Sequence, residues 1–124
     1  IEPSKKQQEM FDVAVKANEK GVEMLVPGTP IKDVVSKTWD VAKKAGCEKY
    51  VRTTIIGHGI GLDVHEPPVL DYPNDKPIQE GMVLAIEPIF VCDEAQGRFM
   101  AEDNVAVTNK GPENLTPLEK KLQW

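Results

Sequence analysis

Helical periodicity occupies the chain from Ser4 to Gly46 and gives way, from Tyr50 onward, to short β-branched runs broken by glycine and proline. That order has no βαβ alternation, which argues against a parallel sheet with crossover helices. Two helices followed by several strands favour an α+β architecture, in which the helices cover one face of an antiparallel sheet.

Ser4 followed by Gln7 has the form of a capping box, and Met10, Phe11, Ala14, Val15, Ala17, Val22 and Leu25 then recur near helical spacing. An amphipathic helix is expected from about Ser4 to Leu25. Pro27 and Gly28 break it. Thr29 is then expected to cap a second helix that takes Pro30 in its first turn, where a missing N–H costs nothing. Ile31, Val34, Val35, Trp39 and Ala42 supply the apolar face of that helix, and Gly46 ends it.

Strands are expected over Val51–Ile56, Val83–Phe90 and Asn104–Thr108. Asp71–Asp75 and Asp93–Gly97 read as turns, and Pro117–Gln123 as a last short helix. With 124 residues, 40% of them hydrophobic and 28% charged, the chain suits one domain over 1–124 with a modest core. A net charge of −5, with both signs interspersed, argues against nucleic acid as a partner. No apolar run approaches the roughly 18 to 20 residues that cross a bilayer. Ile1–Lys6 lacks the layout of a secretory signal, so a cytoplasmic protein is expected. Cys47 and Cys92 lack a Cys-x-x-Cys spacing and are expected as buried thiols.

Three segments carry chemistry. His58 and His65, the only histidines, lie in the glycine-rich stretch Gly57-His58-Gly59-Ile60-Gly61-Leu62-Asp63-Val64-His65-Glu66. Glycines beside a histidine remove side-chain bulk and let a ligand approach the main chain. Glu87 stands in the middle of an apolar strand pattern, where an unpaired carboxylate carries a large desolvation cost, so it needs a proton, a cationic partner or a metal. Glu102 opens an alternating strand, a position that by itself reads first as an exposed acidic strand end. Together, imidazole and two carboxylates form a ligand set suited to manganese, iron, cobalt or zinc.

The order Gly57-His58-Gly59-Ile60-Gly61, His65-Glu66-Pro67, Ile86-Glu87-Pro88, then Glu102 with Val105-Ala106-Val107-Thr108 and Gly111, resembles the signature of the pita-bread metallopeptidases. Within that superfamily it is most similar to the Xaa-Pro dipeptidases (prolidases) and Xaa-Pro aminopeptidases. The short span from Glu87 to Glu102 is more like prolidases than methionine aminopeptidases, whose last insert is longer. The resemblance runs over nearly the whole chain, helices included. It implies half of a pita-bread fold, with two helices on a curved antiparallel sheet, and residues 1–124 as the C-terminal half of a catalytic domain.

The resemblance also implies roles. His58, Glu87 and Glu102 would bind two divalent metal ions, manganese or cobalt first and zinc or iron next, with Glu102 bridging them. Glu87 would move the catalytic proton, and His65 would touch the peptide substrate without binding metal. Such enzymes draw two further ligands from an aspartate pair on a hairpin before the first helix. Neither Asp12 with Glu23 nor Asp71 with Met82 supplies that pair in a matching context. A partner is therefore expected, either the missing N-terminal half or a second copy of the chain, and the isolated chain is expected to be inactive. Met100 stands where Xaa-Pro peptidases usually carry an arginine, leaving Arg98 as the alternative cation. Two other readings stay open: methionine aminopeptidase, and a non-catalytic binding module of the same fold.

Overall fold

The structure, a computed structural model, describes residues 2–122. Helix α1 spans Lys5–Glu23 and α2 spans Ile31–Lys44. They are followed by a 3-10 turn at Glu48–Tyr50 and by seven strands: β1 Gly57–Gly59, β2 Glu66–Leu70, β3 Val83–Ile86, β4 Ile89–Cys92, β5 Gly97–Met100, β6 Asp103–Thr108 and β7 Gly111–Asn114. Five of these pair antiparallel in the order β2-β1-β3-β6-β7, while β4 and β5 form a separate hairpin. This is the α+β arrangement of two helices on an antiparallel sheet that the order of periodicities implied.

The start of α1 follows from sequence chemistry. The Ser4 hydroxyl accepts from the Gln7 N–H at 3.2 Å, and the Gln7 side chain accepts from the Ser4 N–H at 2.8 Å, closing the capping box. The end of α2 is equally local. Gly46 takes φ +68°, its N–H reaches the Lys43 carbonyl, and the Cys47 N–H reaches the Ala42 carbonyl, which satisfies two carbonyls of the last turn.

The start of α2 differs from expectation. Thr29 is not its cap; Pro30 holds the cap position with an extended ψ of 136° and no side-chain hydrogen bond. Pro30 bridges to Pro77, and the first free N–H groups of the helix, those of Ile31 and Lys32, donate to the carbonyls of Lys76 and Asn74. A distant loop thus supplies the acceptors that a capping hydroxyl provides elsewhere.

Two strand expectations change for one reason, which is that the chain crosses between two sheets. Over Val51–Ile56 only Val51 forms a bridge, to Phe90 of the hairpin, whereas the Ile56 N–H already donates to Leu70 in the larger sheet. The Val83–Phe90 run divides at Glu87-Pro88 into β3 and β4. Pro88 has no N–H for a ladder, and the Glu87 N–H donates at 2.7 Å to the Ile56 carbonyl. The expected tail helix is absent over 117–122; Gln123 lies outside the described residues. The tail runs along β6 instead: the Leu115 N–H donates to the Asn104 carbonyl, and Lys120 Nζ lies 2.8 Å from the buried Asp103 carboxylate.

Two cores result. Leu25, Ile31, Val34, Val35, Leu70, Leu84, Ile86, Val105 and Val107 join α2 to the five-stranded sheet. Met10, Ala14, Ala17, Tyr50, Phe90 and Phe99 join α1 to the β4–β5 hairpin, with Cys47 and Cys92 as buried free thiols among them. Trp39 packs against both cores and meets Phe90 edge to face, with centroids 5.6 Å apart.

Glu94 fastens the hairpin turn to the 3-10 segment, accepting from the Tyr50 hydroxyl at 3.3 Å and facing Lys49 Nζ at 3.4 Å. Its own backbone N–H, then the Cys92 thiol and the Lys49 ammonium, lower its carboxyl from 4.5 to about 2. A lowered folded-state value means that this contribution to stability is complete above 4.5 and is lost as pH falls toward about 2. The side chain is 58% exposed, so solvent keeps the effect small. Chemical denaturation of the full-length protein at stepped pH should show a shallower loss across this window for Glu94→Gln. Superimposable profiles would remove Glu94 from the acid response.

Candidate metal centre

The strand register builds the site. Gly57 of β1 pairs with Ile86 of β3, which pairs with Asp103 of β6. Side chains alternate along a strand, so Leu84, Ile86, Val105 and Val107 face the core. His58, Ala85 and Asn104 turn to the opposite face. Glu87 directly follows β3 and Glu102 directly precedes β6, which directs both carboxylates to one end of that same face, where they line one cavity.

Gly57 makes the central pairing possible. A Cβ there would overlap the Ala85 carbonyl oxygen, and it would also lie 3.1 Å from the Ala85 carbonyl carbon. His58 is thereby held close against β3 and is only 7% exposed. Its Nδ1 lies 2.9 Å from the Gly59 carbonyl oxygen, which can only accept, so Nδ1 carries the hydrogen. Its Nε2 then presents a lone pair to Glu87 Oε1 at 3.1 Å. Two electron-pair donors at that separation require a cation between them or beside them, whether a proton or a metal ion. For metal bonds of about 2.0–2.2 Å, two neighbouring ligand atoms lie roughly 3 Å apart, so the spacing fits a shared ion.

His65 arrives from the loop between β1 and β2. Its ring centroid lies 4.2 Å from that of His58. Ligand atoms of His58, His65 and Glu87 all fall within 4.8 Å of one another, and among the described residues this is the one group of three metal-ligating side chains that converges so. Glu102 is outside that trio, but it lines the same cavity of about 400 Å³ with His58, His65, Glu87 and Asn104. An adjoining, more apolar cavity of about 340 Å³ is bounded by Ile55, Pro67, Val69, His65 and Glu87. A third cavity, about 430 Å³ between α1 and the end of α2, carries charges of both signs and has no converging ligand set.

Arg98 does not serve this site. It stands on β5 in the separate hairpin and lines a cavity with Glu2, Gln7 and Phe99. Because β5 does not pair with β6, the shared even-numbered spacing of Arg98 and Glu102 does not put them on one surface.

Sequence reasoning assigned no role to Asn18, whose Nδ2 donates at 2.8 Å to the Ile86 carbonyl and so ties α1 to the residue before Glu87. Its signal was available: a polar residue among Met10, Ala14, Ala17 and Gly21 on the buried face of the helix. Among the described residues, Asn18 Oδ1 has no partner.

Residues 1–109 match the family model of metallopeptidase family M24. The chain belongs to this family. The M24 chain is 32% identical over 120 residues to the Xaa-Pro dipeptidase of Pyrococcus furiosus, covering 97% of this chain and 34% of that protein. It is similar to the solved prolidase from Pyrococcus horikoshii OT3, with a TM-score of 0.90 and 32% identity over 98% of this chain and 35% of that one. It is also similar to the X-Pro aminopeptidase from Thermotoga maritima MSB8, with a TM-score of 0.89 and 29% identity over 97% of this chain and 34% of that one. The M24 chain therefore has the pita-bread fold of these peptidases over its described length. It spans about a third of the length of the curated relatives it matches. Among its described residues no helix is long and apolar enough to cross a membrane.

Proposed function

We propose that the chain is the C-terminal half of the catalytic domain of a cytoplasmic, dinuclear-metal exopeptidase that removes the N-terminal residue from Xaa-Pro peptides. The observation that carries this reading is the 3.1 Å approach of His58 Nε2 to Glu87 Oε1 on the face that also holds His65 and Glu102. One imidazole and two carboxylates suit divalent manganese or cobalt, with zinc and iron as further occupants. His58, Glu87 and Glu102 would hold the ions. The remaining ligands would come from the N-terminal half, or from a second copy of the chain.

The chemistry that divalent ions supply at such a donor set is acidification of a water and polarisation of the scissile carbonyl. The chain's own groups do the rest. Glu87, 20% exposed at its side chain, takes a proton from the attacking water and returns it to the leaving amine. His65, exposed at the mouth of the cavity, donates to the carbonyl oxygen as negative charge develops there. The apolar wall of Ile55, Pro67 and Val69 offers a surface to a proline ring.

The full-length protein, assayed with and without added divalent metal, should release the first residue of Xaa-Pro peptides in preference to Met-Ala peptides, and chelation should stop it. The isolated chain should be inactive. Preference for Met-Ala would identify a methionine aminopeptidase, and metal-bound protein that cleaves neither would identify a binding module.

A further inference from the structure

We infer that Glu66 is a positioning residue whose carboxylate folds the loop of residues 60–65 around itself and so sets His65 against His58. The loop is a closed excursion. It leaves the sheet at Gly59 and returns at Glu66, two residues that pair with each other, and the Ile60 N–H is anchored on the Val83 carbonyl at 3.2 Å. Burial does not hold its middle, because Leu62 and Val64 both project into solvent. The Glu66 side chain does. Its Oε1 accepts from the Asp63 N–H at 2.9 Å, while the Gly61 N–H closes on the Asp63 carbonyl at 3.3 Å. Gly61 lies so close over the carboxylate that a Cβ there would stand 2.5 Å from Oε2 and 2.8 Å from Oε1. The carboxylate thus occupies the inside of the loop, and His65, the residue before it, has its direction set by the closure. Glu66 is outside the converging His58, His65 and Glu87 group; it borders the adjoining apolar cavity, but its carboxylate is engaged by the Asp63 N–H within the loop, so it acts through His65. A displacement of roughly 1 Å in a side chain that faces the substrate can cost about 10²-fold in rate.

Hydrogen exchange by mass spectrometry on the full-length protein tests the clamp directly, and kinetics on an Xaa-Pro peptide test its consequence; the kinetic arm alone rests on the proposed function. Glu66→Ala should speed exchange of the 60–65 amides by about tenfold or more while the amides of β3 and β6 keep their protection. It should also lower kcat by about tenfold or more. Glu66→Gln retains an oxygen acceptor for the Asp63 N–H and should stay within about twofold of the parent in both measurements, since the amide oxygen keeps that N–H paired. Gly61→Ala expels the carboxylate and should reproduce the exchange signature of Glu66→Ala, but should add almost nothing when placed on top of it. Unchanged loop exchange in Glu66→Ala, a Gln variant as impaired as the Ala variant, or losses from Gly61→Ala and Glu66→Ala that multiply would each overturn the clamp. Should Glu66→Ala lose its fold, the exchange of Gly61→Ala alone decides. A parent enzyme without peptidase activity would sink the proposed function and leave the exchange result standing.

Discussion

Glu87→Gln in the full-length protein should lower kcat by about 10²–10⁴-fold, the range for losing the positioned general acid–base group that Glu87 is proposed to be. The substitution is chosen because it keeps the shape. A glutamine amide can donate to His58 Nε2 across the same 3.1 Å, so the cavity should survive while the negative charge and the proton-carrying oxygen are lost. Two measurements separate these consequences. Divalent-metal affinity, read by calorimetry, should fall because a neutral amide is a poorer ligand than a carboxylate for a hard cation. The KM for an Xaa-Pro peptide should change much less than kcat if the group acts on the transition state as proposed. Glu102→Ala is the companion and should abolish activity, since it removes a carboxylate this half is proposed to contribute to the ions. Full activity in either variant would mean that the site has been assigned to the wrong residues.

Gly57→Ala should damage both stability and catalysis. Gly57 sits between Leu70 of β2 and Ile86 of β3, and the added methyl would press on the Ala85 carbonyl group and lie 3.3 Å from Ile86 Cα. Those atoms are backbone in the middle of a sheet and cannot rotate aside, so β1 must move away from β3. Overpacking of this kind costs about 1–3 kcal/mol. His58 is the next residue, and a displacement of roughly 1 Å in a catalytic constellation can cost about 10²-fold in rate. Gly28→Ala is the control: it strains a residue at φ +92° with nothing within 4 Å, so it should lower the unfolding midpoint and leave kcat alone. Thermal unfolding and kinetics on both variants would check this. A Gly57→Ala enzyme with unchanged kcat would show that β1 tolerates the methyl without moving His58.

Both substitutions probe features that differ in how readable they were. Glu87 was conspicuous in sequence because a carboxylate among Val83, Leu84, Ala85, Ile86 and Ile89 demands a partner. Gly57 was visible only as a glycine beside a histidine; that its missing Cβ faces the Ala85 carbonyl follows from which strands pair.

Elements whose hydrogen bonds are local were legible in the amino-acid sequence. The Ser4–Gln7 box, the two amphipathic periodicities and the Gly46 stop each involve residues a few positions apart, so their energetics are contained in a short stretch of chain. The residue types available for chemistry were legible there too. Tertiary structure decided everything whose partners are distant: the division of Val83–Phe90 at Glu87, the pairing of the glycine-rich stretch as β1, the capping of α2 by the 74–77 loop, and the laying of the tail along β6. It also removed Arg98 from the site and brought His65 to His58 around the Glu66 carboxylate. The reason is physical. A strand has no internal hydrogen bonds, so whether a β-branched run becomes one, and which way its side chains face, depends on the neighbour that accepts its N–H groups, and no local pattern names that neighbour.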